Sequence, residues 1–116
     1  LVNSKQKGKR GELEACKVLN ETFGINFRRS QQFKGTKESA DLIDDQWPEL
    51  CPEVKRRKAM NLHKVVEQAR REAEGKVPFV VHRKDGESWL LTVDLRDARS
   101  LVNLLHFAAS GERPIF

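Results

Sequence analysis

The stretch CPEVKRRKAM runs from Cys51 to Met60, and its reading decides the fold. In an extended chain, side chains alternate between faces, so Glu53, Lys55 and Arg57 share one face and Val54 takes the other. A carboxylate and an ammonium two residues apart make either a salted, solvent-facing strand or a small charged cluster built for chemistry. Pro52 can open a strand but not sit in the middle of a central one. The stretch therefore predicts a strand over 53–57.

Working outward from it, Asn61 is a good N-cap for a helix over 62–74. Leu62, Val65, Val66, Ala69 and Ala73 form its apolar stripe, and Gly75 ends it. Strands follow at 78–83 and 88–93, joined by KDGE with Asp85-Gly86 in the tight positions. Asp94, with Asp97 three residues on, caps a last helix through about residue 109. Toward the N-terminus, Leu13, Cys16, Leu19 and Phe23 recur at helical steps over 11–23, with Gly24 as the terminating glycine. Strand character begins at Ile25, a polar loop spans 31–39, and a short strand covers 40–44. The order is αβββαββα, an α/β (α+β) domain in which a central mixed five-stranded sheet is flanked by helices.

The chain has 116 residues, the length of one domain, with residues 1–8 expected as a mobile basic arm. Its 22 Lys and Arg outnumber its 17 Asp and Glu, so 22 − 17 leaves +5. That excess points to a polyanionic partner, either nucleic acid or an anionic surface. No apolar run approaches the roughly 20 residues of a membrane span. The chain starts without Met, as a trimmed chain does; no export signal is seen and the two cysteines show no metal-ligand spacing, which predicts an intracellular protein with Cys16 and Cys51 reduced and buried. His63, His82 and His106 share no ligand spacing, so no zinc site is expected. Trp89 reads as core, whereas Trp47, beside Pro48, is open to a lid, DNA or partner role.

Three acids stand where acids are unexpected. Glu12 is in line with Cys16, Leu19 and Phe23 on the face that should meet the sheet, whereas Glu14 is rotated from it by roughly 200° and points to water. Asp41, in SADLID, lies in a short strand, where Asp is disfavoured. Glu53 follows a dozen residues later. Each alone has an ordinary reading: a first-turn acid favoured by the helix dipole, a turn residue, an exposed strand face. Together they are hard oxygen donors of the kind that hold Mg²⁺ with water and phosphate. With Lys55 beside them, such a site could activate water and neutralise charge on a scissile phosphate.

Asp41 followed by Glu53-Val54-Lys55 resembles the PD-(D/E)xK nuclease signature, with Ala40-Asp41 in place of Pro-Asp. KGKRGELEACKVL resembles the first helix of archaeal-type Holliday junction resolvases and their phage relatives, with Gly8 four residues before the helix glutamate, Glu12. FRRSQQ resembles the Arg-Ser after that family's first strand, which makes Ser30 the matching serine. The resemblance implies a restriction-endonuclease-like fold and a homodimer that cuts four-way DNA junctions with Mg²⁺ or Mn²⁺. It further implies Glu12, Asp41, Glu53 and the Val54 carbonyl as metal ligands, Lys55 as the catalytic lysine and Gln68 as a supporting active-site residue. Lys5, Lys7, Lys9, Arg10, Arg28, Arg29, Arg56 and Lys58 would bind phosphates without reading sequence. Two alternatives stay open: a nuclease of this fold acting on other branched, nicked or duplex DNA, and a DNA-binding protein that no longer cuts.

Overall fold

The computed structural model describes residues 4–30 and 40–112, with side chains from residue 8 onward. The loop expected over 31–39, including Lys34 and Lys37, lies outside the described residues, as do the side chains of Lys5 and Lys7. The elements are α1 (Ser4–Phe23), β1 (Arg28–Arg29), β2 (Leu42–Ile43), β3 (Leu50–Arg56), α2 (Leu62–Glu72), β4 (Val77–Arg83), β5 (Leu90–Thr92) and α3 (Leu95–Ser110). The order αβββαββα is therefore as expected. Helix α1 begins seven residues earlier than the apolar pattern suggested, so residues 4–8, expected as an arm, form its first turns. Lys and Gln favour helix there without adding an apolar face that would reveal it.

The strands do not close into one five-stranded sheet. β1 pairs antiparallel with β2, and β3, β4 and β5 form a separate mixed sheet, parallel between β3 and β4 and antiparallel between β4 and β5. The seam between the two has a local cause. Pro52 sits within β3 and has no N–H to give, although its carbonyl accepts from Asp41 N–H at 3.1 Å. The next N–H on that edge, from Val54, goes to the Asp41 side chain at 2.8 Å instead of to a main-chain carbonyl. β2 thus lies beside β3, held by one backbone bond and one carboxylate bond. Pro52 is tolerated because this edge of β3 carries no regular ladder.

Two layers cover the three-stranded sheet. Val54, Phe79 and Val81 share the face that receives Ala15, Cys16 and Leu19 of α1 and Leu101, Leu105 and Ala108 of α3. Leu13 was expected in the α1 stripe, but it is half-exposed, since it stands about 120° from the centre of the buried line. The opposite face carries Cys51, Glu53 and Lys55, in register with Pro78, Val80 and His82. There Cys51 packs with Ala73, at the end of α2, and with Ala40 and Ile43. Both cysteines are buried and neither forms a disulfide, as expected.

The caps hold as read: the Asn61 side chain accepts from Lys64 N–H, and that of Asp94 from Arg96 N–H. Gly24, Gly86 and Gly111 take positive φ where α1, the Asp85-Gly86 turn and α3 require it. Trp47 is buried in the main core at 4% exposure, so the lid or contact role left open for it is replaced by packing. Its turn is fixed by Asp44, whose carboxylate accepts from Asn26 and Gln46 N–H. Trp89 is half-buried against the core, with the Arg83 guanidinium 5.5 Å from its ring centre.

Candidate active site

The site is built where β2 meets β3. Asp41 is fixed by three hydrogen bonds: its N–H donates to Pro52, its carbonyl accepts from Ser30 N–H at 2.9 Å, and its carboxylate takes Val54 N–H. The β3 pleat then turns Glu53 and Lys55 to the α2 side. Glu53 is only 7% exposed, and its Oε1 has no hydrogen-bond partner. Burial, then the adjacent Asp41 charge and the hydrogen bond between the two carboxyls, pushes the Glu53 pKa up to about 8. Lys55 opposes that shift, and Glu72 of α2 adds to it. Two carboxyl groups so close cannot both ionise easily unless a cation compensates them.

Glu12 approaches from the α1 side. It accepts from Arg29 Nε at 2.9 Å, and its side chain is 19% exposed. Burial raises its pKa; the Arg29 hydrogen bond opposes this and the Asp41 charge adds to it. The Asp41 charge thus acts on both Glu12 and Glu53, which joins the three acids into one electrostatic row. Cys16, one turn on from Glu12, is pushed up to about 11 by burial first and by the Glu12 charge second, so it is an inert thiol. A cleft of about 350 Å³ opens beside the row, lined by Gly8, Gly11, Glu12, Val54, Lys55, Arg56 and Arg57. Among the described residues nothing beyond its own helix turn lies within 4 Å of where a Gly8 Cβ would stand.

Among the described residues, no three His, Cys, Asp or Glu side chains are gathered closely enough to hold a metal ion together. Asp41 and Glu53 form a pair, and Glu12 is turned onto Arg29. The donor chemistry nonetheless fits a hard divalent cation. Mg²⁺ commonly takes one or two carboxylates and keeps several waters. A buried, unpartnered carboxylate oxygen beside a second carboxylate is an arrangement whose cost a cation would relieve.

A family model described as "Phage putative PDDEXK endonuclease" matches residues 3–110. The chain belongs to this family. The match covers nearly the whole chain and places it among nucleases of the PD-(D/E)xK superfamily. Comparison with curated proteins and with solved structures gave no match. In this PD-(D/E)xK chain, Ala40, immediately before Asp41, is buried against Cys51 and Ala73.

The remaining expected site residues are spread around this centre. Gln68 is exposed on α2 and donates from Nε2 to Glu72 Oε1 at 3.0 Å, so any reach toward Glu53 runs through Glu72. Glu72 was not singled out in the sequence; its four-residue step from Gln68 was the available signal. Several expected phosphate-binding arginines already hold acids. Arg28 grips Asp45 with two bonds, Arg29 holds Glu12, and Arg56 pairs with Asp85 at 2.9 Å and with Glu14 at 3.6 Å. Lys9, Arg10 and Lys58 are exposed. Glu14 does not simply face water: it accepts from Arg83 at 3.0 and 3.3 Å, tying α1 to the end of β4.

Among the described residues no helix is long and apolar enough to cross a membrane.

Proposed function

We propose that this protein is a metal-dependent, structure-specific DNA endonuclease that resolves four-way junctions by paired phosphodiester hydrolysis. The observation that carries the reading is the Asp41–Glu53 pair beside Lys55, with Glu53 buried and one of its oxygens unpartnered among the described residues, in a chain of a nuclease family. Glu12, Asp41, Glu53 and the Val54 carbonyl would hold Mg²⁺ or Mn²⁺. The ion supplies Lewis acidity toward a phosphate oxygen and a more acidic bound water. The chain's own residues do the rest. Asp41 is held rigid by its three hydrogen bonds, so the ligand row keeps its spacing. Lys55 presents an ammonium on the Glu53 face, where it can stabilise negative charge building on the scissile phosphate. Arg29 keeps Glu12 oriented at the edge of the cleft.

The basic excess supports DNA as the substrate, with Lys9, Arg10 and Lys58 exposed to phosphates. Symmetric junctions need two matched incisions, which a two-fold homodimer supplies. Leu90, Leu91, Leu95 and Val102 leave apolar surface on β5 and α3 that supports such pairing.

The test is cleavage of a labelled four-way junction beside linear duplex of matched sequence, with Mg²⁺, Mn²⁺ or EDTA. Paired nicks on the junction that need metal and vanish in Lys55→Ala are expected. Equal cutting of duplex would mean the same chemistry on a broader substrate. Salt-sensitive binding without cutting under any of these conditions would leave a DNA-binding protein that has lost catalysis.

A further inference from the structure

Glu72 has no part in the nuclease signature, yet it stands on the helix end that packs beside the acidic pair. The line Ala69–Ala73 of α2 is buried, and Ala73 packs on Cys51, Ala40 and Ile43. Cys51 lies two residues before Glu53 on the same face of β3, and Ala40 immediately precedes Asp41. The last turn of α2 is therefore anchored beside β3, which carries Glu53, and beside the bend before β2, where Asp41 lies. Glu72 stands next to Ala73 and one turn from Ala69, on the flank of that anchored line. Its carboxylate is half-buried and held by Gln68 Nε2 at 3.0 Å. The charge of Glu72 reaches Glu53, where it adds to the upward push on that carboxyl. Among the described residues no cation is seen pairing with Glu72, and Glu53, 7% exposed, has an Oε1 without a partner.

We infer that Glu72, steadied by Gln68, is a positioning residue for the Asp41–Glu53 centre: it accepts hydrogen bonds from the water shell of a divalent cation held by that pair. A cation bound through one or two carboxylates keeps water on its remaining positions, and those waters need acceptors. Glu72 is thereby assigned to the water shell, and direct ligation is left to the signature acids. The same arrangement gives Gln68 a role through Glu72 and not by contact with substrate. The inference rests on the cation-dependent reading above.

The test is Mn²⁺ binding to the metal-stripped full chain, by calorimetry and by the Mn²⁺-induced rise in melting temperature, for wild type, Glu53→Gln, Glu72→Gln and Gln68→Ala. Wild type should bind, and Glu53→Gln should lose binding. Glu72→Gln should bind about tenfold more weakly or worse, the usual cost of removing an outer partner of a metal site. Gln68→Ala should shift in the same direction by less. In EDTA at pH 8, Glu72→Gln should melt no lower than wild type, because a negative charge near Glu53 has gone. If Glu72→Gln binds Mn²⁺ as wild type does while Glu53→Gln does not, Glu72 is a surface acid and the inference fails alone. If wild type itself binds no Mn²⁺, the cation-dependent reading falls with it.

Discussion

The Val54 N–H donates to the Asp41 carboxylate at 2.8 Å, and that one bond serves both fold and site. It fills the place of a ladder bond that β2 does not make, and it aims the Asp41 carboxylate at Glu53. Asp41→Asn retains an oxygen that can accept from Val54 while removing the charge beside Glu53. The variant should therefore fold, melt in EDTA at or above the wild-type temperature, and fail to cleave. Asp41→Ala leaves the Val54 N–H without a partner, which costs about 1–3 kcal/mol. Thermal melts of the two variants separate these outcomes; a strongly destabilised Asp41→Asn would show that charge, not the hydrogen bond, holds the seam.

Glu53 gives the metal-free protein an unusual dependence on pH. Its folded pKa, about 8, lies above the ordinary carboxylate value, so the folded state binds the proton more tightly than the unfolded chain. Its contribution to stability is full below the ordinary pKa of 4.5 and is lost as pH rises through about 8. Urea unfolding in EDTA should therefore give falling stability between these limits, with a slope of at most about 1.4 kcal/mol per pH unit from this group. Glu53→Gln should flatten that slope. Adding Mn²⁺ at pH 8 should recover the lost stability in wild type only.

Two neighbouring acids of α1 should behave oppositely. Glu12 is half-buried with a raised pKa and one arginine partner, so Glu12→Gln should leave stability near wild type and abolish cleavage. Glu14 holds Arg83, whose side chain is 14% exposed and whose Nε is already unpartnered. Glu14→Ala should cost about 1–3 kcal/mol by stripping a largely buried cation of its carboxylate acceptor, with cleavage retained at low temperature. Melting and nicking assays on the pair decide it, and a catalytically dead but stable Glu14→Ala would reverse the assignment.

Much of this was legible in the chain, for identifiable reasons. The caps at Asn61 and Asp94 and the terminating Gly24 depend on local hydrogen bonds and φ, which neighbours in sequence determine. Glu12 was separable from Glu14 by helical angle alone. The joining of β2 to β3 was not legible, because it depends on Pro52 and a side-chain bond thirteen residues away. The role of Trp47 was left undecided because the turn around it is ordered by Asp44, whose partners Asn26 and Gln46 lie on both sides of it in the chain. Glu72 was hidden because only the packing of Ala73 on Cys51 reveals which flank of α2 lies over the site.

Trp47 now carries a stability prediction. At 4% exposure in the main core, Trp47→Ala should destabilise the protein by about 3–5 kcal/mol through the cavity it leaves. Trp47→Phe should recover part of that loss. DNA affinity of the folded fraction should be unchanged, as read by binding at a temperature where both proteins are folded; a selective loss of binding with normal stability would return Trp47 to the DNA surface.

Salt dependence of DNA binding should divide the basic residues by what they already hold. Each phosphate contact removed should lower the slope of log affinity against log salt by about one. Lys9, Arg10 and Lys58 are exposed, and replacing each with Ala should lower both the affinity and the slope. Arg28 is gripped by Asp45 through two bonds, and the pair is largely solvent-exposed, so it contributes little to the fold. Arg28→Ala should change the slope less than Lys58→Ala, because part of its charge is already neutralised. Arg28→Ala with Asp45→Ala together should leave affinity near wild type, since one positive and one negative charge leave the surface at once. Equal slope changes for Arg28→Ala and Lys58→Ala would mean that DNA displaces Asp45 from Arg28 on binding.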